Sequence, residues 1–137
     1  MMFLNVTNPN DVAKLYPWLI PTETESRMDI ACQLRYRMEK KPDDTFVLVA
    51  VDKGVTRAVL IAHVSDKNRK RVWVWQIKAE ERFPYRHRMF DALKQWVEGK
   101  GCKQVRTSIT SNKRWQRVLE RRYGFKRRGT EMYCNVA

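Results

Sequence analysis

RVWVWQIKAEERFPYRHRMF, residues 71–90, is the stretch that decides the fold. Its first part, RVWVWQIKA, is largely apolar or bulky on both alternating sets of positions, which predicts a strand covered on both faces and central in a sheet. Its last part opens an amphipathic helical pattern, with Pro84 suited to a first helical turn. The stretch therefore predicts a strand-to-helix junction, where helix-initial N–H groups and the helix dipole attract an anion.

Side chains alternate along a strand, so we expect RVWVWQIKA to have two distinct faces. One face carries Val72 and Val74, and the other carries Trp73, Trp75 and Ile77. We interpret the two tryptophans as core, with an aromatic wall facing a substrate as the alternative.

The loop between this strand and the helix contains no glycine. It carries cationic or titratable side chains instead, at Arg82, Arg86, His87 and Arg88. Guanidinium groups bind phosphate through paired N–H donors, which makes these residues candidates for a phosphate site. The alternative interpretation is that they are ordinary surface charges.

The rest of the chain alternates strands and helices. FLNVT predicts a first strand, Asn8-Pro9 a helix start, and Thr22 to Glu25 a capping box for a second helix. Three strand-like runs, TFVLVAV, VTRAVLIAHV and RVWVWQIKA, are separated by short turns and predict an antiparallel meander. A helix separates the third run from KQVRTSIT, which makes those two strands parallel neighbours. A last helix then leads into one final strand, FKRRGTEMYCNV.

These elements predict a single domain, residues 1–137, of the α/β (α+β) class. We expect a mixed central sheet of about six strands with about four flanking helices. No apolar run approaches the ~20 residues of a spanning helix, and the amino terminus lacks the pattern of a secretion signal. Three cysteines form no CxxC and predict reduced thiols. We therefore expect a cytoplasmic protein with no membrane partner.

The order of elements resembles the GNAT superfamily of N-acetyltransferases over nearly the whole chain. Two segments carry the resemblance. IKAEER, residues 77–82, is similar to the end of the family's fourth strand, with Ile77 at a typical valine and Arg82 at a typical Arg or Gln. SNKRWQRVLERRYGF, residues 111–125, is similar to the family's Asn-containing helix that ends in Gly-Phe.

The resemblance implies an acyltransferase that uses acetyl-CoA, with an amine or a nucleic-acid base as acceptor. The residues it implies for the cofactor are Gln76, Ile77, Lys78, Arg82, Arg86, His87, Arg88 and Asn112. Acyl transfer to an amine needs a base, and the candidates are Glu80, Glu81 and His63, with a structural role for His63 as the alternative. Glu120 is added because it stands where the family often has the tyrosine that protonates the leaving thiolate.

The chain also departs from the family's pattern. The three small positions of the phosphate loop fall on Phe83, Tyr85 and His87, whose side chains we expect to keep the backbone away from a pyrophosphate. Tyr123 lies next to Gly124, and we expect its side chain to point away from the position of the family's tyrosine. His63, His87 and the scattered cysteines have no metal-ligand spacing, so we predict no metal site.

Charge is unevenly distributed along the chain. Residues 1–65 carry 8 Lys/Arg and 8 Asp/Glu, whereas residues 66–137 carry 20 and 7, which supplies the whole net charge of +13. The last helix concentrates Lys113, Arg114, Arg117, Arg121 and Arg122. Such a stripe predicts binding of nucleic acid or another polyanion, with a solvated basic face as the alternative.

Two functional hypotheses follow. The first is a divergent GNAT-type acyltransferase. The second is a catalytically inactive GNAT-like module that binds nucleic acid or joins a protein assembly, similar to small degenerate domains of bacteriophages. In the second case the protein acts in the host cytoplasm or in a virion.

Overall fold

A computed structural model describes residues 1–108 and 113–136. Seven strands form one sheet in the order β1-β2-β3-β4-β5-β7-β6. The strands are β1 (Met2–Asn5), β2 (Thr45–Asp52), β3 (Val55–Val64), β4 (Arg71–Ala79), β5 (Gln104–Ser108), β6 (Lys126–Arg128) and β7 (Glu131–Asn135). The α-helices are α1 (Val12–Leu15), α2 (Arg27–Lys40), α3 (Arg86–Gly99) and α4 (Lys113–Arg122). The predicted class is confirmed.

The meander β2-β3-β4 forms as predicted, with antiparallel pairing throughout. Its first turn needs positive φ angles, which Lys53 (φ 50°) and Gly54 (φ 77°) provide. β4 is the middle strand of the seven and pairs in parallel with β5, because α3 forms the crossover between them. The prediction of a central strand followed by a crossover helix is therefore confirmed.

Each face of the sheet has its own hydrophobic core. On one face, α3 and α4 cover the sheet, and the buried side chains include Phe90, Leu93 and Leu119. On the other face, α1 and α2 cover it, with Leu15, Leu19, Ile30 and Leu34 at the centre, all nearly inaccessible to solvent. Within residues 1–108 and 113–136, no helix has the length and apolar character that a membrane span needs.

The predicted start of the second helix was wrong. The capping box lies at Ser26 and Asp29 and starts α2 at Arg27. The predicted box, Thr22 to Glu25, instead closes a turn in which the Thr22 hydroxyl accepts from the Glu25 N–H at 3.0 Å. The motif Thr-x-x-Glu fits a turn as well as a helix cap. In each of them the threonine hydroxyl accepts from the N–H three residues later.

The final segment is a hairpin and not one strand, which makes seven strands in place of about six. β6 and β7 pair antiparallel, with Arg128 opposite Glu131. Gly129 has a φ of 61°, the left-handed conformation that glycine adopts without steric cost. A glycine inside an apparent strand thus marked a turn.

A β-bulge interrupts β4 at Trp75. Ile61 of β3 pairs with Gln76, whereas the next residue, Ala62, pairs with Val74, so that Trp75 is one residue more than the ladder holds. The extra residue reverses the alternation of side chains. Ile77 consequently packs in the same core as Val74, and our prediction that it shares a face with Trp75 was wrong.

Candidate active site

A cleft of about 810 Å³ lies where β4 passes into α3. We call it the anion cleft. Its walls are the β4–α3 loop and the carboxyl-terminal half of α4, and its lining residues are Ala79, Glu81, Arg82, Phe83, Pro84, Arg86, His87, Val118, Arg122 and Tyr123. The lining thus contains three arginines and a histidine but only one carboxylate, and this composition favours an anionic ligand.

The loop of the anion cleft is a tight turn closed by its own backbone. The Phe83 N–H donates to the Glu80 carbonyl at 3.1 Å, and Arg82 has a φ of 61°. That conformation costs a residue with a side chain roughly 1–2 kcal/mol. Arg86 stabilises the turn from the other side, because its guanidinium donates to the Phe83 carbonyl at 3.2 Å. The turn is thus held in a glycine-like conformation without glycine.

The first turn of α3 has no cap. Tyr85 precedes the helix with no capping hydrogen bond from its side chain, and the first turn contains no acidic residue. The first N–H groups of a helix have no acceptor one turn back, and an acid or an anion usually compensates them. In α3 the Arg88 N–H donates to the Tyr85 carbonyl at 3.1 Å. Here the neighbours are Arg86 and His87, so the helix start adds to the positive potential of the cleft.

The rings of Phe83 and Tyr85 do not lie across the loop as expected. Phe83 is only 5% exposed and belongs to the core under α3 and α4. The Tyr85 ring is half-buried and contacts the Phe83 ring edge to face, with centroids 6.0 Å apart. Arg88 stacks its guanidinium over Tyr85 at 5.2 Å and does not line the cleft. The Phe83 ring is therefore turned into the core, whereas His87 remains in the cleft lining, and the steric argument for the loop as a whole stays a prediction.

β4 and β5 pair only over part of their length within the described residues. The last such pair is Val74 with Thr107, one residue before the bulge, and β4 continues to Ala79. Backbone groups of residues 75–79 on that side consequently have no β5 partner among the described residues. An unpaired strand edge of this kind can accept an extended ligand.

A second pocket, of about 520 Å³, lies on the α2 face of the same strand. We call it the tryptophan pocket. Its lining residues are Thr22, Thr24, Glu25, Gln33, Arg37, His63, Asp66, Trp73, Trp75 and Ser108. Both tryptophans are partly exposed there, which favours the aromatic-wall interpretation that we had set as the alternative. The Glu25 carboxylate accepts from the neutral Gln33 amide at 2.6 Å, and no ion pair among the described residues involves it.

His63 has a defined tautomer in this pocket. Its Nδ1 lies 3.0 Å from the Val64 carbonyl oxygen, which accepts only, so Nδ1 carries the proton and Nε2 keeps its lone pair. Burial lowers the pKa of the His63 imidazole, with a further lowering by Arg37. The ring, which stands edge to face against Trp75, is therefore a neutral base at pH 7.

The structure separates the other predicted catalytic residues. Glu80 accepts two hydrogen bonds from Arg57, at 2.9 and 3.1 Å, which occupy its carboxylate. Glu81 lines the anion cleft. Glu120 faces β6, where it pairs with Arg127 at 3.7 Å, and it is not part of the cleft lining.

The predicted cofactor residues on β4 divide between the two faces. The Gln76 side chain is buried and bonded at both ends to the main chain of Ile20, at 2.8 and 3.2 Å. Ile77 packs in the core on the anion-cleft side, whereas Lys78 extends over Trp18 on the other side. Any contact of Gln76 with a ligand must therefore use its backbone. Asn112 lies outside the described residues.

Two residues of the anion cleft were missed as cofactor candidates. Tyr123 stacks on Phe90 with ring centroids 4.1 Å apart and lines the cleft, whereas Glu120 faces β6, so the two side chains point in different directions. Burial raises the pKa of its phenol, which keeps it protonated. Arg122 was assigned to nucleic acid but also lines the cleft. The i, i+4 spacing from buried Leu119 to Tyr123 was a signal that Tyr123 faces inward.

No protein-family model and no curated protein sequence matches the chain. Solved structures do match it along its length. It superposes on a proposed GNAT-family acetyltransferase from Desulfovibrio desulfuricans with a TM-score of 0.77 and 11% identity, covering 99% of both chains. The chain has the GNAT fold.

Other structures with the GNAT fold give similar values. PaiA N-acetyltransferase from Thermoplasma acidophilum, solved with coenzyme A, matches with a TM-score of 0.71 and 11% identity, over 98% of this chain and 99% of that one. A GNAT acetyltransferase from Streptococcus pneumoniae matches with a TM-score of 0.70 and 12% identity, over 99% of each chain. At such identities the likeness establishes the fold alone.

Proposed function

We propose that the protein is an acyltransferase that takes an acetyl group from acetyl-CoA and transfers it to an amine. The observation that carries the proposal is the position of the anion cleft. The cleft lies at the junction of β4 and α3 in a GNAT fold, next to residues 75–79 of β4, which have no β5 partner among the described residues. Phosphate groups and an extended pantetheine arm would thus have adjacent sites.

The cofactor's phosphates are assigned to the anion cleft. Arg82 and Arg122 reach them as charge-assisted donors, and the uncapped N–H groups at the start of α3 add neutral donors. Phe83 is buried and its backbone N–H is bonded within the turn, so the proposal relies on the arginines and the start of α3 and not on the backbone of the turn. Tyr123 supplies a protonated phenol on the same side, which can donate to the departing thiolate.

The acceptor is assigned to the tryptophan pocket, on the opposite face of β4. An amine arrives protonated at neutral pH, and Glu25 together with the faces of Trp73 and Trp75 attracts a cation. His63 Nε2 then takes one proton, directly or through water, and leaves the nitrogen lone pair free. This chemistry favours an amine over a nucleic-acid base as acceptor.

The proposed acetyl transfer takes place in three steps. The amine nitrogen attacks the thioester carbonyl carbon and gives a tetrahedral oxyanion. The C–S bond breaks as the carbonyl re-forms, and the thiolate takes a proton, for which Tyr123 is the assigned donor. The proton that the ammonium group loses before attack passes from His63 to solvent, and the second proton, which the nitrogen loses after attack, returns Tyr123 to its phenol form through water. Positioning and proton transfer account for such a step without a metal.

The test measures cofactor binding and turnover separately. Acetyl-CoA is titrated into the purified protein by calorimetry, and free thiol is then followed with a panel of alkyl diamines as acceptors. We expect saturable binding in the micromolar to millimolar range and amine-dependent thiol release. Binding without turnover would favour the inactive module, and no saturable binding at millimolar concentration would overturn the proposal.

A further inference from the structure

The lysines and arginines of this chain differ in whether an acidic side chain forms an ion pair with them. Most arginines near the meander are held by acids at short distance, for example Arg37 by Asp66 at 3.1 Å, Arg57 by Glu80 at 2.9 Å and Arg69 by Asp44 at 2.6 Å. On α4 and β6, the only ion pair among the described residues joins Arg127 to Glu120 at 3.7 Å. All other cations whose side chains are described on α4 and β6 therefore have no ion pair among the described residues.

We call the exposed cations of α4 and β6 together the basic ridge. Its described members are Lys113, Arg117, Arg121, Arg122, Lys126, Arg127 and Arg128, all exposed. Leu119 and Gln116 point into the protein, so helical geometry places Arg117 and Arg121 on the outer side of α4. Arg122 turns toward the anion cleft and Glu120 toward β6. Arg114, which we also predicted to belong to this surface, is in α4, but nothing is stated of its side chain.

Protection of a sheet edge does not explain the whole ridge. β6 is the last strand of the sheet, and cations on an edge strand discourage pairing with another chain. That reason covers Lys126 to Arg128. It does not cover Arg117 and Arg121, because a helix has no unpaired edge to protect.

The surroundings of the ridge favour nucleic acid over a membrane. Among the described residues, the large apolar side chains that are exposed all lie at positions 1–55, remote in sequence from the ridge. A membrane-binding surface combines cations with apolar side chains that insert. Arg117 and Arg121 are four residues apart, about 6 Å along the helix axis, which lets each contact a different phosphate.

We propose that the basic ridge binds the phosphate backbone of nucleic acid without reading its sequence, and that Arg122 is shared between this surface and the anion cleft. The second clause rests on the proposed function, whereas the first is independent of it. Nucleic acid and acetyl-CoA then each weaken the binding of the other, because both place phosphate at one guanidinium.

The experiment uses fluorescence anisotropy with a labelled 20-base-pair duplex at a series of NaCl concentrations. We expect log affinity to fall linearly with log salt. The variant Arg117→Gln/Arg121→Gln should reduce the slope by about two units and weaken binding about tenfold or more at 0.1 M salt. The matched control, Lys40→Gln/Lys67→Gln, removes the same charge from exposed sites on α2 and the β3–β4 turn, and should leave the slope unchanged.

Two further arms distinguish the partners and the two sites. Phosphatidylglycerol vesicles and polyglutamate should compete far less well than unlabelled duplex. Arg117→Gln/Arg121→Gln should keep its acetyl-CoA affinity, whereas Arg122→Gln should lose affinity for both ligands. Equal effects of ridge and control variants, or preferred binding of vesicles or polyglutamate, would overturn the nucleic-acid assignment. Failure of acetyl-CoA to bind would leave the duplex result standing and would remove only the shared role of Arg122.

Discussion

The anion cleft and the tryptophan pocket lie on opposite faces of β4 and treat charge differently. In the cleft, no ion pair among the described residues involves Arg82, His87 or Arg122, so the site keeps its positive charge for a ligand. In the pocket, Arg37 and Lys41 neutralise Asp66, at 3.1 and 2.9 Å, and His63 is neutral. A phosphate-binding site benefits from unsatisfied cations, whereas a site for proton transfer benefits from a fixed, uncharged base.

The difference follows from packing as much as from composition. The cleft is made by a turn that rests on one buried ring, Phe83, whereas the pocket is made by strand and helix positions that include the pairing of Asp66 with Arg37. Damage to the turn should therefore affect the cleft alone, and damage to the ion pairs should affect the pocket alone.

The largest expected effect comes from Phe83→Ala, which removes the ring beneath the cleft. Loss of a buried aromatic ring should lower the free energy of unfolding by about 3–5 kcal/mol, measured by urea denaturation. Tyr36→Ala, on an exposed face of α2, is the control and should change stability by less than about 0.5 kcal/mol. A loss below ~1 kcal/mol for Phe83→Ala would mean that the turn does not rest on this ring.

His63→Gln should lower kcat about 100-fold, because it removes the proposed base. Since burial lowers the pKa of His63, the active neutral form persists below pH 6.5, and wild-type kcat should rise with pH to a plateau reached near or below that value. In His63→Gln, kcat should no longer rise with pH in this range. His87→Gln removes the other histidine, in the cleft, and should keep this rise of kcat with pH while raising KM.

The same residue makes a prediction for stability with a definite sign. The folded pKa of His63 lies below the unfolded value near 6.5, so between the two values the unfolded chain binds more protons. The contribution of His63 to stability is therefore complete above pH 6.5 and declines as pH falls below it. Urea midpoints at pH 7.5 and 5 should differ less in His63→Gln than in the wild type.

Arg82 allows conformation and charge to be separated in the cleft. Arg82→Gly and Arg82→Ala both remove the guanidinium, and each should weaken acetyl-CoA binding about tenfold or more. Only glycine adopts the φ of 61° without cost, so Arg82→Gly should be about 1 kcal/mol more stable than Arg82→Ala. Equal stabilities in urea would show that the turn relaxes when the arginine is removed.

The smallest effect concerns Asp66, at the rim of the tryptophan pocket. Hydrogen bonds from Lys41 and Arg37 lower the pKa of Asp66 to about 2. This depressed pKa stabilises the fold above pH 3.8, and the contribution is lost as pH falls toward 2. Because the Asp66 carboxylate is exposed to solvent, Asp66→Asn should cost less than about 1 kcal/mol at pH 6 and nothing near pH 2.

The sequence predicted the elements whose signal is local. The runs in β2, β3 and β4 have strand length and clear turns between them, and α3 has an apolar stripe that the structure buries at Met89, Phe90, Leu93 and Val97. Thr22 to Glu25 was misassigned because one motif serves both a turn and a cap. The β6–β7 hairpin was missed because only Gly129 marks it.

The candidate site was predictable in position but not in detail. Arg82, Arg86 and His87 were identified from the strand-to-helix junction, and all three line the cleft. The inward rotation of Phe83 and the place of Tyr123 depend on packing between β4, α3 and α4, which are distant in sequence. The tryptophan pocket joins residues from Thr22 to Ser108, and no local pattern relates them.

The bulge at Trp75 gives β4 one residue more than β3 over the same stretch of the ladder. Deleting one residue there would restore strict alternation, and the strand would lose the break that follows its last described pair with β5. Val74 and Gln76 would then be consecutive in the ladder with β3, and Ile77 would keep its place on the α3 side. Length at this point is therefore under a tighter constraint than side-chain identity. At position 75 we therefore expect the protein to tolerate a substitution better than a deletion.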